Sequence, residues 1–232
     1  MKTIIVENRK KSDAILAKLY PDARIIDVTS KATDLFVKFS PFYPHKGVPI
    51  PFSSPRTAKS VEGIWQGLKV FEKADIAPLC FSNDTMKDLK RTVRKYGAPK
   101  GHRKGIDGKE LLGYIDARIQ IYQPTYVWVL ENRLAPEMRK FKAILETQDL
   151  VLLDYETNGD ILDPSSPLSH AWLIKHYLEG TLYKVPAPGQ VKEEVKPEVV
   201  KAEVVDEIHA EVEEAPAEIS EEIHAEVAET VH

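Results

Sequence analysis

The chain has 232 residues, a formal net charge of -4 and a single cysteine, Cys80. That length supports a buried core, while one cysteine excludes an internal disulfide, and no apolar run approaches the ~18 residues of a membrane span. The charge is divided: residues 186–232 carry fourteen acids and three lysines, a net of -11, which leaves +7 on the preceding body. A basic body attracts phosphate-bearing ligands, nucleotide or nucleic acid alike.

In chain order, residues 2–7 (KTIIVE) read as a strand, Ser12 to Tyr20 as a short helix capped by Ser12, and Ala23 to Thr29 as a second strand, with Pro21 ending the helix. The opening MKTIIVENRKK lacks a cleavage signal and reads as the first strand of a cytoplasmic protein. Strand, helix and strand suggest a β-α-β beginning. Phe36 to Phe39 is a further brief strand candidate. The segment Ser40 to Pro55, SPFYPHKGVPIPFSSP, holds too many prolines for regular helix. It is an irregular loop or edge hairpin whose Phe42, Tyr43 and His45 either overhang a cleft or plug the core.

The stretch Ser60 to Phe71, SVEGIWQGLKVF, is the chemical centre of the chain. On a helical period Glu62, Trp65, Gln66 and Lys69 share one face, and Val61, Ile64, Leu68 and Val70 or Phe71 form an apolar stripe. Ser60 is a natural N-cap, and Glu62 suits the positive helix end. Spacing alone fits an ordinary core helix too, with Glu62 serving only the dipole.

Asp84 to Tyr96 reads as an amphipathic basic helix leading into Gly97 to Gly108, GAPKGHRKGIDG. Four glycines with Lys100, His102, Arg103 and Lys104 make a flexible cationic loop, either a phosphate clamp or a solvated connector. No Walker lysine pattern and no GxGxxG follows a strand, so neither cofactor nor metal is called for. Glu110 to Tyr122 is a helix, Pro124 opens another, and Pro136 breaks it before Glu137 to Glu146 continues. Leu150 to Tyr155 is an apolar strand, Thr157 to Pro167 a turn-rich loop carrying Asp160 and Asp163, and Ser169 to Leu178 a last helix. Beyond Pro186 the chain is acidic, lacks aromatics and repeats EIHAEV at 207–212 and 222–227, which predicts a disordered tail, 186–232, appended to a globular body, 1–185.

FSPFYP followed by SVEGIWQGLKVF resembles the NADAR (NAD and ADP-ribose) family, whose members carry an F-S-N-F-Y-type loop and then an S-V-E-H-x-Y-Q-x-x-K helix. VLENRLAPEMRKFKAILETQDLVLLDYETNGD is similar to the family's downstream helix, strand and acidic loop, so the likeness spans roughly 36–178. The departures are Gly63 for histidine, Pro41 for asparagine, Tyr122 or Tyr126 for a tryptophan, and a missing W-G in the acidic loop. The resemblance implies an α+β, predominantly helical YbiA-like domain with a few short strands. It further implies an N-glycosidase acting on an ADP-ribose-like or ribosyl-phosphate compound, free or on nucleic acid. On that reading Glu62 carries the ribosyl charge with Asp160 or Asp163 as second acid. Trp65 or Tyr43 stacks on the base, and Lys69, Arg103 and Lys104 hold phosphates. Two other classes stay open, a non-catalytic nucleotide- or nucleic-acid-binding protein and a scaffold whose acidic tail recruits a partner.

Overall fold

A computed structural model describes residues 2–185, so the acidic tail expected over 186–232 lies outside the described residues. Helix and strand are mixed, with more residues in helices. Strand β1 (Ile4–Asn8), helix α1 (Asp13–Leu19) and strand β2 (Arg24–Asp27) follow the sequence pattern, and the Ser12 side chain accepts from the Ile15 N–H as its cap. The parallel orientation also holds, but the strands are not neighbours. The apolar run Leu150–Asp154, here β8, inserts between them and pairs with both in parallel, Ile4 and Arg24 each opposite Leu150. A strand buried along its whole length belongs at the centre of such a sheet, because both of its faces need cover. Leu150 and Leu152 point into the main core, whereas Val151 and Leu153 point the other way against Leu16 of α1.

Leu35–Phe39 is a 3-10 helix where a strand is expected. Asp34 caps the Phe36 N–H at 2.9 Å, and a three-residue repeat puts Phe36 and Phe39 on one side, both stacked on Phe141. Two short strands, β3 (Val48–Pro49) and β4 (Thr57–Ala58), make the edge hairpin of the proline segment. Helix α2 (Val61–Leu68) comes next and runs directly into β5 (Lys69–Phe71).

The basic segment after it is not the helix expected over 84–96. Helix α3 (Pro78–Ser82) comes first, then irregular chain, and only Val93–Tyr96 (α4) is helical. Asn83 explains the break: its side chain accepts from the Thr85 N–H and donates to the Lys87 carbonyl, and Met86 and Asp88 take positive φ. The first half of the cationic loop is likewise a strand, β6 (Pro99–Arg103), held between β5 and β7 (Leu111–Leu112) in an antiparallel sheet. Gly101 sits there at φ 129° with the Leu112 carbonyl filling the space a Cβ would need, so glycine serves strand packing and not loop freedom.

The helix expected from Glu110 starts later, as α5 (Tyr114–Ala117), and widens into a π-helical turn, Arg118–Tyr122, before α6 (Gln123–Asn132). Helix α7 (Ala135–Thr147) takes Pro136 in its first turn, where the missing N–H costs nothing. Helix α8 (His170–Glu179), capped by Ser169, closes the body. The core joins the inner sheet face to α2, α6, α7 and α8. Among the described residues no helix is long and apolar enough to cross a membrane.

Candidate functional site

The face read from SVEGIWQGLKVF is assembled by both ends of α2. At its start the Ser60 hydroxyl accepts from the Gly63 N–H at 3.0 Å and the Pro41 carbonyl accepts from the Glu62 N–H at 2.9 Å, so the aromatic loop is bonded to the first turn. At its end the helix stops one residue short of Lys69, against the expectation of a helix through Phe71. Arg91 donates to the carbonyls of Gln66 (3.2 Å), Lys69 (2.5 Å) and Asp75 (2.7 Å), satisfying groups that a continuing helix would have used. Lys69 therefore enters the cleft from the first residue of β5, where His102 is its cross-strand partner.

Glu62 is 5% exposed, and its Oε1 accepts from the Gln66 amide at 3.0 Å, while Gln66 accepts in turn from the Arg91 N–H at 3.3 Å. A carboxylate held this way is fixed in orientation, because its hydrogen-bond partner is anchored to backbone on the far side. Lys90 brings its ammonium to 3.9 Å from the same oxygen and lies over the Phe42 ring.

Facing α2 across the cleft are Tyr114, Arg118 and Tyr122, spaced four apart along α5 and the π-helical turn. The cleft floor comes from the parallel sheet. Thr29 and Ser30 lie just past β2, and Asp154, Tyr155 and Glu156 lie at and just past the end of β8, so the carboxyl ends of neighbouring parallel strands open onto one crevice. Asp154 is buried and accepts from the Ser169 hydroxyl at 2.7 Å and the Ala171 N–H at 3.3 Å through Oδ2, and from the Tyr155 N–H at 2.8 Å through Oδ1. Burial works to raise its carboxyl, but the His170 imidazole and these hydrogen bonds outweigh it and hold the group below the usual carboxylate range. His170 stands between the Val28 carbonyl at 2.9 Å and the Asp154 carboxylate at 3.0 Å, which together fix the plane of its ring.

The resulting cleft is open to solvent and has a cavity volume of about 130 Å³. Trp65, Phe42 and the tyrosines supply flat apolar wall, and Glu62, Lys69, Lys90 and Arg118 supply charge. One face of the Trp65 indole is covered by His102, whose ring centroid is 3.8 Å away. His102 is fully buried and neither ring nitrogen has a hydrogen-bond partner among the described residues. Burial first, then the Lys69 and Arg91 charges, push its imidazole well below the usual value, so it is a neutral slab behind the tryptophan.

Of the residues singled out in the sequence, Glu62, Trp65, Gln66, Lys69 and Phe42 line this cleft, and Tyr43, Asp160, Asp163, Arg103 and Lys104 do not. Tyr43 packs on His45 instead, at 4.9 Å between ring centroids. Asp160 and Asp163 use their carboxylates to cap turns, accepting from the Leu162 and Ser165 N–H groups at 2.9 Å each. The acids that do reach the cleft are Asp154 and Glu156, marked in the sequence by the step from an apolar strand to DYE. Arg103 pairs with Asp75 at 2.6 Å and Lys104 with Glu110 at 3.1 Å, so the strand geometry turns both away from the cleft. Sequence reading misses Arg118 and His170. The first has a signal in the four-residue spacing of tyrosine, arginine and tyrosine; the second has none, because its partners lie 142 and 16 positions away. No group of three or more histidine, cysteine, aspartate or glutamate side chains among the described residues is placed to hold a metal ion.

No curated protein and no solved structure matches this chain. One family model does, described as a family of unknown function, DUF6939, and it matches residues 8–174, a span that contains every residue lining the cleft. The chain therefore belongs to the DUF6939 family.

Proposed function

We propose that the chain is an N-glycosidase-type hydrolase acting on a ribosyl-phosphate or ADP-ribose-like compound, and that its body is a diverged NADAR-type fold. The observation that carries this reading is the Glu62 carboxylate, buried, oriented through Gln66 and set beside the Trp65 wall of an open cleft. Cleavage of a C1'–N bond develops positive charge on the ribosyl ring, and an ionised carboxylate beside C1' lowers the energy of that state. Water attacks C1', a C–O bond forms as the C1'–N bond breaks, and the electron pair leaves on the base nitrogen. Glu62 takes a proton from the water, and the departing nitrogen gains one. Glu156, half-buried at the end of β8, replaces Asp160 and Asp163 as the second carboxylate of this scheme. Asp154 is committed to Ser169, Ala171 and His170 and positions the floor.

The test is Glu62→Gln, which keeps volume and one acceptor but removes the charge. Release of base from ribosylamine phosphates, NAD and ADP-ribose conjugates should fall ~100-fold or more, with binding little changed. Full activity in this variant overturns the assignment. Tight binding by the wild type with no base released from any of them favours the non-catalytic nucleotide-binding reading, for which the exposed Lys87, Arg94 and Lys95 provide the nucleic-acid arm.

A further inference from the structure

Arg118 is 1% exposed, yet it lines the cleft. Its guanidinium donates through Nη1 to the Asp163 carbonyl and through Nη2 to the Tyr114 hydroxyl and the Ser166 carbonyl, each at 2.7 Å. All three acceptors are neutral. These bonds use one hydrogen of Nη1 and both of Nη2, leaving the Nε–H and the second Nη1–H. No carboxylate among the described residues comes within 4.0 Å of the group. Asp163, the nearest by chain contact, turns its carboxylate to Ser165 and feels the arginine only as the least of the influences on its titration. A buried cation without a counter-charge carries a desolvation cost, and backbone carbonyls offset only part of it.

Its surroundings fix it in place. The Tyr114 ring lies 4.2 Å from the guanidinium carbon, and Arg118 opens the π-helical turn that brings Tyr114, Arg118 and Tyr122 onto the cleft wall together. Wide turns of this kind recur at functional sites, where they aim a side chain that a regular helix would direct elsewhere. Glu62 already has Lys90 near it, and Asp154 has His170.

We infer that Arg118 is the anion-recognition residue of the cleft and that it holds the phosphate monoester of the ligand. The choice of a phosphate rests on the ribosyl-phosphate reading above; the need for an anion does not. A guanidinium with fixed position and residual donors binds such a group with charge and direction together. The cleft lysines lie on the α2 side, Lys90 at 3.9 Å from Glu62 and Lys69 at the end of the helix, so the ligand spans the cleft with its sugar at Glu62 and its phosphate at Arg118.

The full-length protein is titrated calorimetrically with ribose 5-phosphate, ribose and inorganic phosphate. Ribose 5-phosphate should bind at least ~10-fold more tightly than ribose, and Arg118→Lys, which keeps the charge but loses the fork, should remove most of that margin. An equal affinity for ribose and ribose 5-phosphate, or an unchanged margin in a folded Arg118→Lys protein, overturns the inference. Should that variant fail to fold, crystals of the wild type grown with ribose 5-phosphate decide: phosphate oxygens on the guanidinium support the inference, and phosphate seated anywhere else defeats it. Failure here is distinguishable from failure of the glycosidase reading. Phosphate bound at Arg118 with no base release sinks the reaction alone, and Glu62-dependent base release with an Arg118-independent affinity sinks this inference alone.

Discussion

Replacing Asp154 by asparagine tests whether the cleft floor is held as described. The carboxylate receives the Ser169 hydroxyl, the Ala171 and Tyr155 N–H groups and the His170 imidazole, which is itself tied to the Val28 carbonyl. One residue thus joins the ends of β2 and β8 to the first turn of α8. Asparagine keeps one acceptor but presents an amide NH2 to groups that are themselves donors. Breaking a buried charged pair by removing one partner costs ~3–5 kcal/mol, and for a chain of this size each kcal/mol moves the midpoint by ~2–4 °C, so Asp154→Asn should melt ~6–20 °C lower at pH 7. The pH dependence has a definite sign. Because the folded carboxyl lies below its ordinary value of 3.8, the stability it contributes is fully present above that pH and is lost as pH falls through the lowered folded value. Thermal melts of both proteins between pH 7 and pH 3 should therefore show the gap narrowing toward acid, as the wild type begins to lose what the variant never had. A gap below ~2 °C at pH 7, or one that stays constant into acid, would refute the charge-based clamp.

Gly63→Ala should lower the melting temperature although alanine is the better helix former, since its Cβ would meet the Cys80 carbonyl at 2.6 Å; a calorimetric loss of ~1–3 kcal/mol is expected, and a gain would show that α3 yields. The double change Arg103→Ala and Lys104→Ala should cost no more than ~1 kcal/mol for each partly exposed ion pair, and ribose 5-phosphate affinity should be unchanged by titration.

The working face of α2 is legible in the sequence because helical spacing depends only on local chain geometry, and an N-cap at Ser60 fixes its phase. Its end before Phe71 is not, because the stop is imposed by Arg91, a residue 22 positions beyond Lys69 that competes for carbonyls no sequence window connects. The same distinction separates the acids. Asp160 and Asp163 have the composition of a catalytic loop, but in a tight turn a short carboxylate finds the N–H two residues ahead before it finds a ligand. Glu156 and Asp154 reach the cleft because β8 runs parallel to both neighbours, a pairing set by which apolar run needs cover on two faces.

At Gly63 the departure from the NADAR pattern has a packing cause. Where that family has histidine, this chain brings the Cys80 carbonyl and the Ser60 hydroxyl so close that no side chain fits. The glycine belongs to the close packing of α3 on α2, matched by Gly67, where the Phe81 ring fills the space a Cβ would need. With glycine at position 63, the proposed hydrolysis draws any second proton carrier from elsewhere in the cleft. On the proposed reaction, that carrier comes from the cleft floor, where Glu156 lies just past β8 beside the paired Asp154 and His170.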